Sequence, residues 1–437
     1  MTFTDRWGTE VQTSSEATAS LLERATTDIV LLRGDPAASL DAAIDADPDA
    51  PLPRIVRAEL DLFAQTRDAQ RAARDRLAEV DTLQATTSPR ERLHAAAADA
   101  WADGRLDVAA RLFDRAVARD PHDLLAIRFA HDLSFFLGDS TNIRDVVARA
   151  RAGWAEADPL FGVLQGMYAF GLEETGEYRR AEAAARYALR ADEHDVWAHH
   201  ALAHVLEMEG RTGEGVAFLS GSAVRWETSF FAVHNWWHLA LYLIEEGELE
   251  RALDLYDGPI RKGGSTEWLD LVDAAALLWR LSLVGLDVRQ RATTLVDILE
   301  PRIADALYAF NDLHAVMVYG LAEREDLVRA VIDANGHEVG TANARALELA
   351  GAALLRGFGA LALGDARDAT EHLFQSRSRS AVIGGSVAQR DVIDQTLLAA
   401  AARSGDEGLV RALVSERVER RPTASNSTAR LVDANDR

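Results

Sequence analysis

Five of the twelve histidines in this 437-residue chain fall in two short segments, VWAHHALAHVLEMEG from Val196 to Gly210 and HNWWHLALYLIEEG from His234 to Gly247. Residues four apart on a helix share a face, so His200 stands over His204 with Glu207 continuing the line, and His234 stands over His238. Imidazole titrates near neutral pH, which suits general acid and base work, with a carboxylate such as Glu207 to orient a ring. The same spacing lets two rings grip one ion, so His200, His204, His234 and His238 are also candidate ligands for a divalent transition metal that activates water. Burying four imidazoles merely to fill a core would demand a partner for every ring nitrogen, whereas leucine fills a core at no such cost.

Other segments add polar groups. FNDLHAVMVY carries Asp312 and His314 as further acid-base candidates, and EWLDLVDAAALLWR carries Asp270, a candidate substrate contact, and Asp273. In AVIGGSVAQRDVIDQ two glycines lead into a helix with Ser386 as its N-cap and amides available for an anion, and Ser386, Gln389 and Arg390 are candidate substrate contacts. His122, His131 and His194 stand alone and read as satisfied core residues. Several chemistries are excluded. No cysteine is present to act as a nucleophile. Ala201 follows His200, so the metalloprotease pattern His-Glu-x-x-His is absent, and no Gly-x-Ser-x-Gly supports a serine nucleophile.

The elements that must position these residues show in the punctuation. Gly104, Gly138, Gly176, Gly210, Gly247 and Gly285 recur 34 to 38 residues apart, each after an apolar run and most before an Ala-rich one, and Gly364 and Gly405 continue the series 41 apart. The 79 residues between Gly285 and Gly364 hold two units around a turn near Arg324. The expectation is roughly nine helix-turn-helix units, each glycine supplying the left-handed backbone of a helix end. After Gly176 the residues Ala181, Ala184, Ala185 and Ala188 form one helical stripe. No run alternates as a strand does, so the fold class is all-α. Residues 1–89 read as an N-terminal helical cap broken at Asp35-Pro36 and Asp47-Pro48, residues 90–419 as the repeat solenoid carrying the site, and residues 420–437 as a disordered polar tail.

The turn Gly176-Glu177-Tyr178-Arg179-Arg180-Ala181 resembles that of the tetratricopeptide repeat. In that family first-helix residues at set distances before the turn glycine line a concave groove. Counted back from Gly210 they are Trp197, His200, His204, Glu207 and Met208; from Gly247, His234 and Trp237, with His238 one place off; from Gly176 they include Gly166 and Phe170. The resemblance therefore makes Trp197, Trp237 and Phe170 candidate substrate contacts beside the histidines. Taken together, His199 to Glu207, HNWWH, Asp312 with His314, and Gly384 to Asp391 resemble the tetratricopeptide repeat protein 38 family, which implies a long helical-repeat protein without assigning a reaction.

Charge and hydropathy narrow the partners. Seventy acidic against 47 basic residues give a net charge of -23, which repels phosphate backbones and anionic lipid, so neither nucleic acid nor membrane is expected. No apolar run approaches the roughly 18 residues of a membrane span, and the start lacks a secretory pattern, so a cytoplasmic location is expected. The leading functional expectation is an enzyme of hydrolase or lyase type, acting on a small polar molecule by His/carboxylate or metal-assisted chemistry. The alternatives are a non-catalytic scaffold for a peptide or protein partner, and a structural adaptor whose histidines staple the core.

Overall fold

The computed structural model describes residues 2–83, 87–335 and 339–435. Two three-residue strands, Thr2–Thr4 and Glu10–Gln12, pair as an antiparallel hairpin too short to show alternation in the sequence. The remaining regular elements are helices. They run in order α1 (Glu16–Leu31), α2 (Pro36–Ala46), α3 (Pro51–Leu62), α4 (Arg67–Asp81), α5 (Pro89–Ala102), α6 (Leu106–Arg119), α7 (Leu124–Phe136), α8 (Ser140–Arg151), α9 (Phe161–Glu174), α10 (Tyr178–Ala191), α11 (Val196–Met208) and α12 (Thr212–Trp226). They continue with α13 (Ala232–Glu246), α14 (Leu249–Leu255), α15 (Trp268–Leu283), α16 (Arg289–Leu299), α17 (Ala309–Leu321), α18 (Glu325–Ala334), α19 (Ala342–Ala346), α20 (Ala352–Ala362), α21 (Ala366–Ser376), α22 (Val387–Arg403), α23 (Glu407–Arg420) and α24 (Ser425–Asn435). Helices pack chiefly on their sequence neighbours, as in a solenoid, so the all-α expectation holds.

Local chemistry explains where the helices start and stop. Ser88 and Glu91 form a reciprocal capping box with Pro89 in the first turn of α5. Aspartates cap α2, α7, α8, α21 and α23, each side chain accepting a backbone N–H three residues on. All eight glycines of the repeating series have positive φ, from 67° at Gly138 to 96° at Gly285, and each ends the first helix of a pair. The turn expected near Arg324 is made by Glu323 at φ 56°.

The chain divides into two compact units: Met1–Leu202 with Val224–Phe231, and Ala203–Ala223 with Ala232–Arg437. In the first unit second helices are amphipathic. In α10 Ala181, Ala185 and Ala188 are buried, and α6 buries Leu106, Ala109, Ala110, Phe113, Ala116 and Val117. First helices are buried nearly all round. Every residue of α7 from Leu124 to Ser134 is buried, with α1 packed against it. In the second unit α15 is equally enclosed, because α22 and α24 pack on it. Where the sequence suggests a disordered tail, α24 is a helix tied down by long-range bonds: Asn435 Nδ2 donates to the Leu283 carbonyl (2.8 Å) and Arg430 Nη2 to those of Ile244 and Glu245. Among the described residues, no helix is long and apolar enough to cross a membrane.

Candidate functional site

Helix α11 begins at Asp195, whose carboxylate accepts the Ala198 N–H, and runs unbroken to the Gly210 turn, so the four-residue histidine spacing is realised as one face. In the second unit this helix contributes His204 and Glu207, and α13 contributes His234 and His238. The two rings of α13 are each held by a carboxylate. His238 Nδ1 lies 3.1 Å from Glu207 Oε2, and His234 Nδ1 lies 2.8 Å from Asp273 Oδ2 on α15. An ionised carboxylate only accepts, so each Nδ1 carries the proton and each Nε2 keeps its lone pair. The ring of His238 packs edge-on against His204, with centroids 4.4 Å apart, and against His234 at 4.7 Å, while His234 stacks on Trp237. His204, His234 and His238 each offer one ring nitrogen, and these atoms lie within 4.8 Å of one another. A group of imidazoles so spaced could hold a metal ion.

A buried set of charges flanks the rings. Burial pushes His238 well below the ordinary imidazole value, and the charges of His204, His234 and Arg280 act in the same direction. Burial pushes Glu207 up, opposed by Arg421, whose Nη1 lies 3.6 Å away. Asp391 on α22 is forked by Arg417, at 2.6 and 2.9 Å, and approached by Arg421 at 3.7 Å. Burial works to raise Asp391, and these guanidiniums overcome it, holding the carboxyl far below its usual range. Arg280 lies over the Trp237 ring and donates to the Ala388 and Gln389 carbonyls, its pKa pulled down to about 10 by burial.

The other expected residues are distributed unevenly. His200 stands on the part of α11 that belongs to the first unit, its ring against Phe170 (4.9 Å), Trp197 (5.7 Å) and Phe231 (4.8 Å). The positions expected to line the concave groove are buried: Trp197, His200, His204, Glu207, His234 and Trp237 are all 9% exposed or less. Asp270 is half-buried and pushed up to about 6 by burial, but Asp273, a turn later, is the carboxylate that meets His234. Asp312 and His314 point apart, as residues two apart on a helix must. Asp312 is raised to about 7 by burial, with Asn335 as its hydrogen-bond partner, while His314 gives Nδ1 to the Phe310 carbonyl and feels Arg280, held near 4 by burial. Ser386 and Gln389 are absorbed in a reciprocal capping box on α22, so that helix end closes on its own side chains instead of presenting free amides to an anion. Arg390 turns back to the Gly384 and Gly385 carbonyls.

Sequence reasoning passed over Arg280, Arg417 and Arg421. A lone arginine inside the apolar run LLWRL is a readable sign that Arg280 is buried with a task; Arg417 and Arg421, in ERVERR, carry no such sign. No protein-family model matches the chain.

Proposed function

We propose that this chain is a helical-repeat enzyme acting on a small polar molecule, with His204, His234 and His238 as its reacting centre. The observation that carries the reading is the pair of imidazole–carboxylate bonds, His238 to Glu207 and His234 to Asp273. They fix both tautomers and make Nε2 the lone-pair nitrogen of each ring, as in metal-binding histidines oriented by a carboxylate. A divalent transition metal is the ligand these nitrogens suit. When bound, such a metal polarises an oxygen or lowers the pKa of a bound water. The chain's own contribution is to hold the His238 ring neutral by burial and to take up a proton. Asp273 Oδ1, with no hydrogen-bond partner among the described residues, is the acceptor for that proton. The reaction class is hydrolytic or lyase-like.

Enclosure supports a small substrate over an extended peptide. His234, at 9% the most exposed of the three rings, marks the side of approach. The likeness to the tetratricopeptide repeat protein 38 family rests on the same segments and belongs to this reading. Metal content of tag-free protein, measured by inductively coupled plasma mass spectrometry, tests it. We expect about one equivalent of a transition metal in the wild type, lost in His204→Ala/His238→Ala. A folded wild type without metal, or a variant that keeps it, would overturn the metal assignment.

A further inference from the structure

The first unit holds a second polar cluster, on α7 and the start of α11. Arg128 and His131 lie one turn apart on α7, and both approach Trp197. The Arg128 guanidinium carbon is 4.5 Å from the centroid of the Trp197 ring, and the His131 and Trp197 rings are 5.3 Å apart, edge to face. All three side chains are at least nine-tenths buried. Arg128 uses Nε on Asp132 Oδ2, at 2.6 Å. Its Nη1, both nitrogens of His131 and the Trp197 indole Nε1 are buried and have no hydrogen-bond partner among the described residues. His131 Nδ1 is 3.7 Å from Asp132 Oδ1, beyond hydrogen-bond reach. Phe170 closes the cluster, 5.9 Å from each of the His131 and Trp197 rings.

Buried donors that meet no acceptor are expensive, and a fold built only for packing would place leucine and phenylalanine here. We infer that Arg128, His131 and Trp197 form a binding subsite for a small carboxylate. The guanidinium Nη1 and the indole Nε1 are both obligate donors, and a carboxylate offers two oxygens with about four lone-pair sites to receive them. The imidazole adds a third donor through either nitrogen. Phe170 and the Trp197 ring give the ligand's carbon body an apolar wall. Arg128 already shares its charge with Asp132, so a phosphate dianion, with two charges to balance, is disfavoured against a carboxylate monoanion. Binding here stands whether or not the imidazoles of α11 and α13 hold a metal. Only the identification of this carboxylate as the substrate's own rests on the proposed reaction.

The test is a titration of the tag-free, full-length protein with sodium acetate, against sodium chloride at equal ionic strength, read from the indole 15N–1H resonances. Trp197→Phe keeps the ring and removes the donor, and so assigns the Trp197 signal. The expected result is a saturable shift of that signal with acetate and not with chloride. By calorimetry, binding weakens about tenfold in Arg128→Gln, and in Trp197→Phe it weakens measurably, with metal content unchanged in both. If Arg128→Gln does not fold, Trp197→Phe alone decides. No saturable response to acetate, a response to inorganic phosphate alone, or equal affinity in wild type and Trp197→Phe would overturn the assignment. Loss of metal binding in the proposed centre, with acetate binding intact, would sink only the metal reading.

Discussion

His94 stands outside the candidate site, clamped between Glu59 Oε1 at Nδ1 (2.8 Å) and Asp123 Oδ2 at Nε2 (3.0 Å), with Arg90 forked onto Asp123. Burial alone would discharge the ring; the two carboxylates outweigh it and raise His94 to about 9. A histidine whose folded pKa lies above its unfolded value stabilises fully below about 6.5 and loses that contribution as pH rises through the folded value. The melting temperature should therefore fall by several degrees between pH 6.5 and 9.5. His94→Gln, which keeps size but not charge, should start lower and lose this slope; an unchanged slope would show that His94 does not carry it. In the site His238 obeys the opposite logic, burial holding it neutral. Glu207→Gln replaces the carboxylate that fixes the His238 tautomer, so metal affinity should fall about 10- to 100-fold in chelator competition. Asp273→Asn should do the same through His234. Retained affinity in both would mean that these carboxylates do not orient ligands.

At the scale of the element, glycine does two different jobs that substitution separates. Gly176 has φ 79° and nothing within 4 Å of an added Cβ, so Gly176→Ala meets only backbone strain, about 1–2 kcal/mol. Gly171, inside α9, would gain about 1 kcal/mol of helix propensity as alanine. Its Cβ, however, would land on the Cα and N of Arg144 in α8, and separating two packed helices costs more than propensity returns. Gly171→Ala should therefore be the more destabilising of the two by thermal unfolding, and the reverse order would mean that α8 and α9 are not in intimate contact. This difference also explains what the sequence discloses. Turn glycines recur with the repeat, so every one of the eight, and the turn at Glu323, was legible from spacing. The pairing of His238 with Glu207 was half legible, because both occupy corresponding faces of consecutive first helices. Asp273 rather than Asp270 was not, since choosing between carboxylates one turn apart depends on how α15 is rotated against α13. Nor was the enclosure of α13 and α15, to which α22 and α24 contribute through contacts far apart in sequence.

At the scale of the whole molecule, charges of both signs go inward. Arg128, Arg280 and Arg417 are buried, but so are a larger number of carboxylates, Glu59, Glu207, Asp273 and Asp312 among them, so the solvent-facing charge is less negative than the composition suggests. In the second unit the inward arginines make the last helices part of the site's support. Arg417 and Arg421 join α23 and its end to Asp391, and Arg421 also reaches Glu207, the carboxylate that holds His238. Arg430 and Asn435 then cap the open carbonyls at the ends of α13 and α15. A dispensable polar tail would tolerate removal of residues 421–437. Removal here leaves Glu207 buried without its guanidinium and frees three helix-end carbonyls, a loss of about 3 kcal/mol or more. Arg421→Met, which keeps most of the side-chain volume, isolates the charge from the helix. Without Arg421 the buried Glu207 carboxyl is pushed further up and binds a proton more readily, so its hold on the His238 Nδ1–H weakens. Both proteins should melt lower than wild type, and both should release metal more readily to a chelator, with the truncated form more affected. If Arg421→Met kept wild-type metal retention while the truncated form lost stability alone, the C-terminal helix would be a packing element with no part in the histidine site.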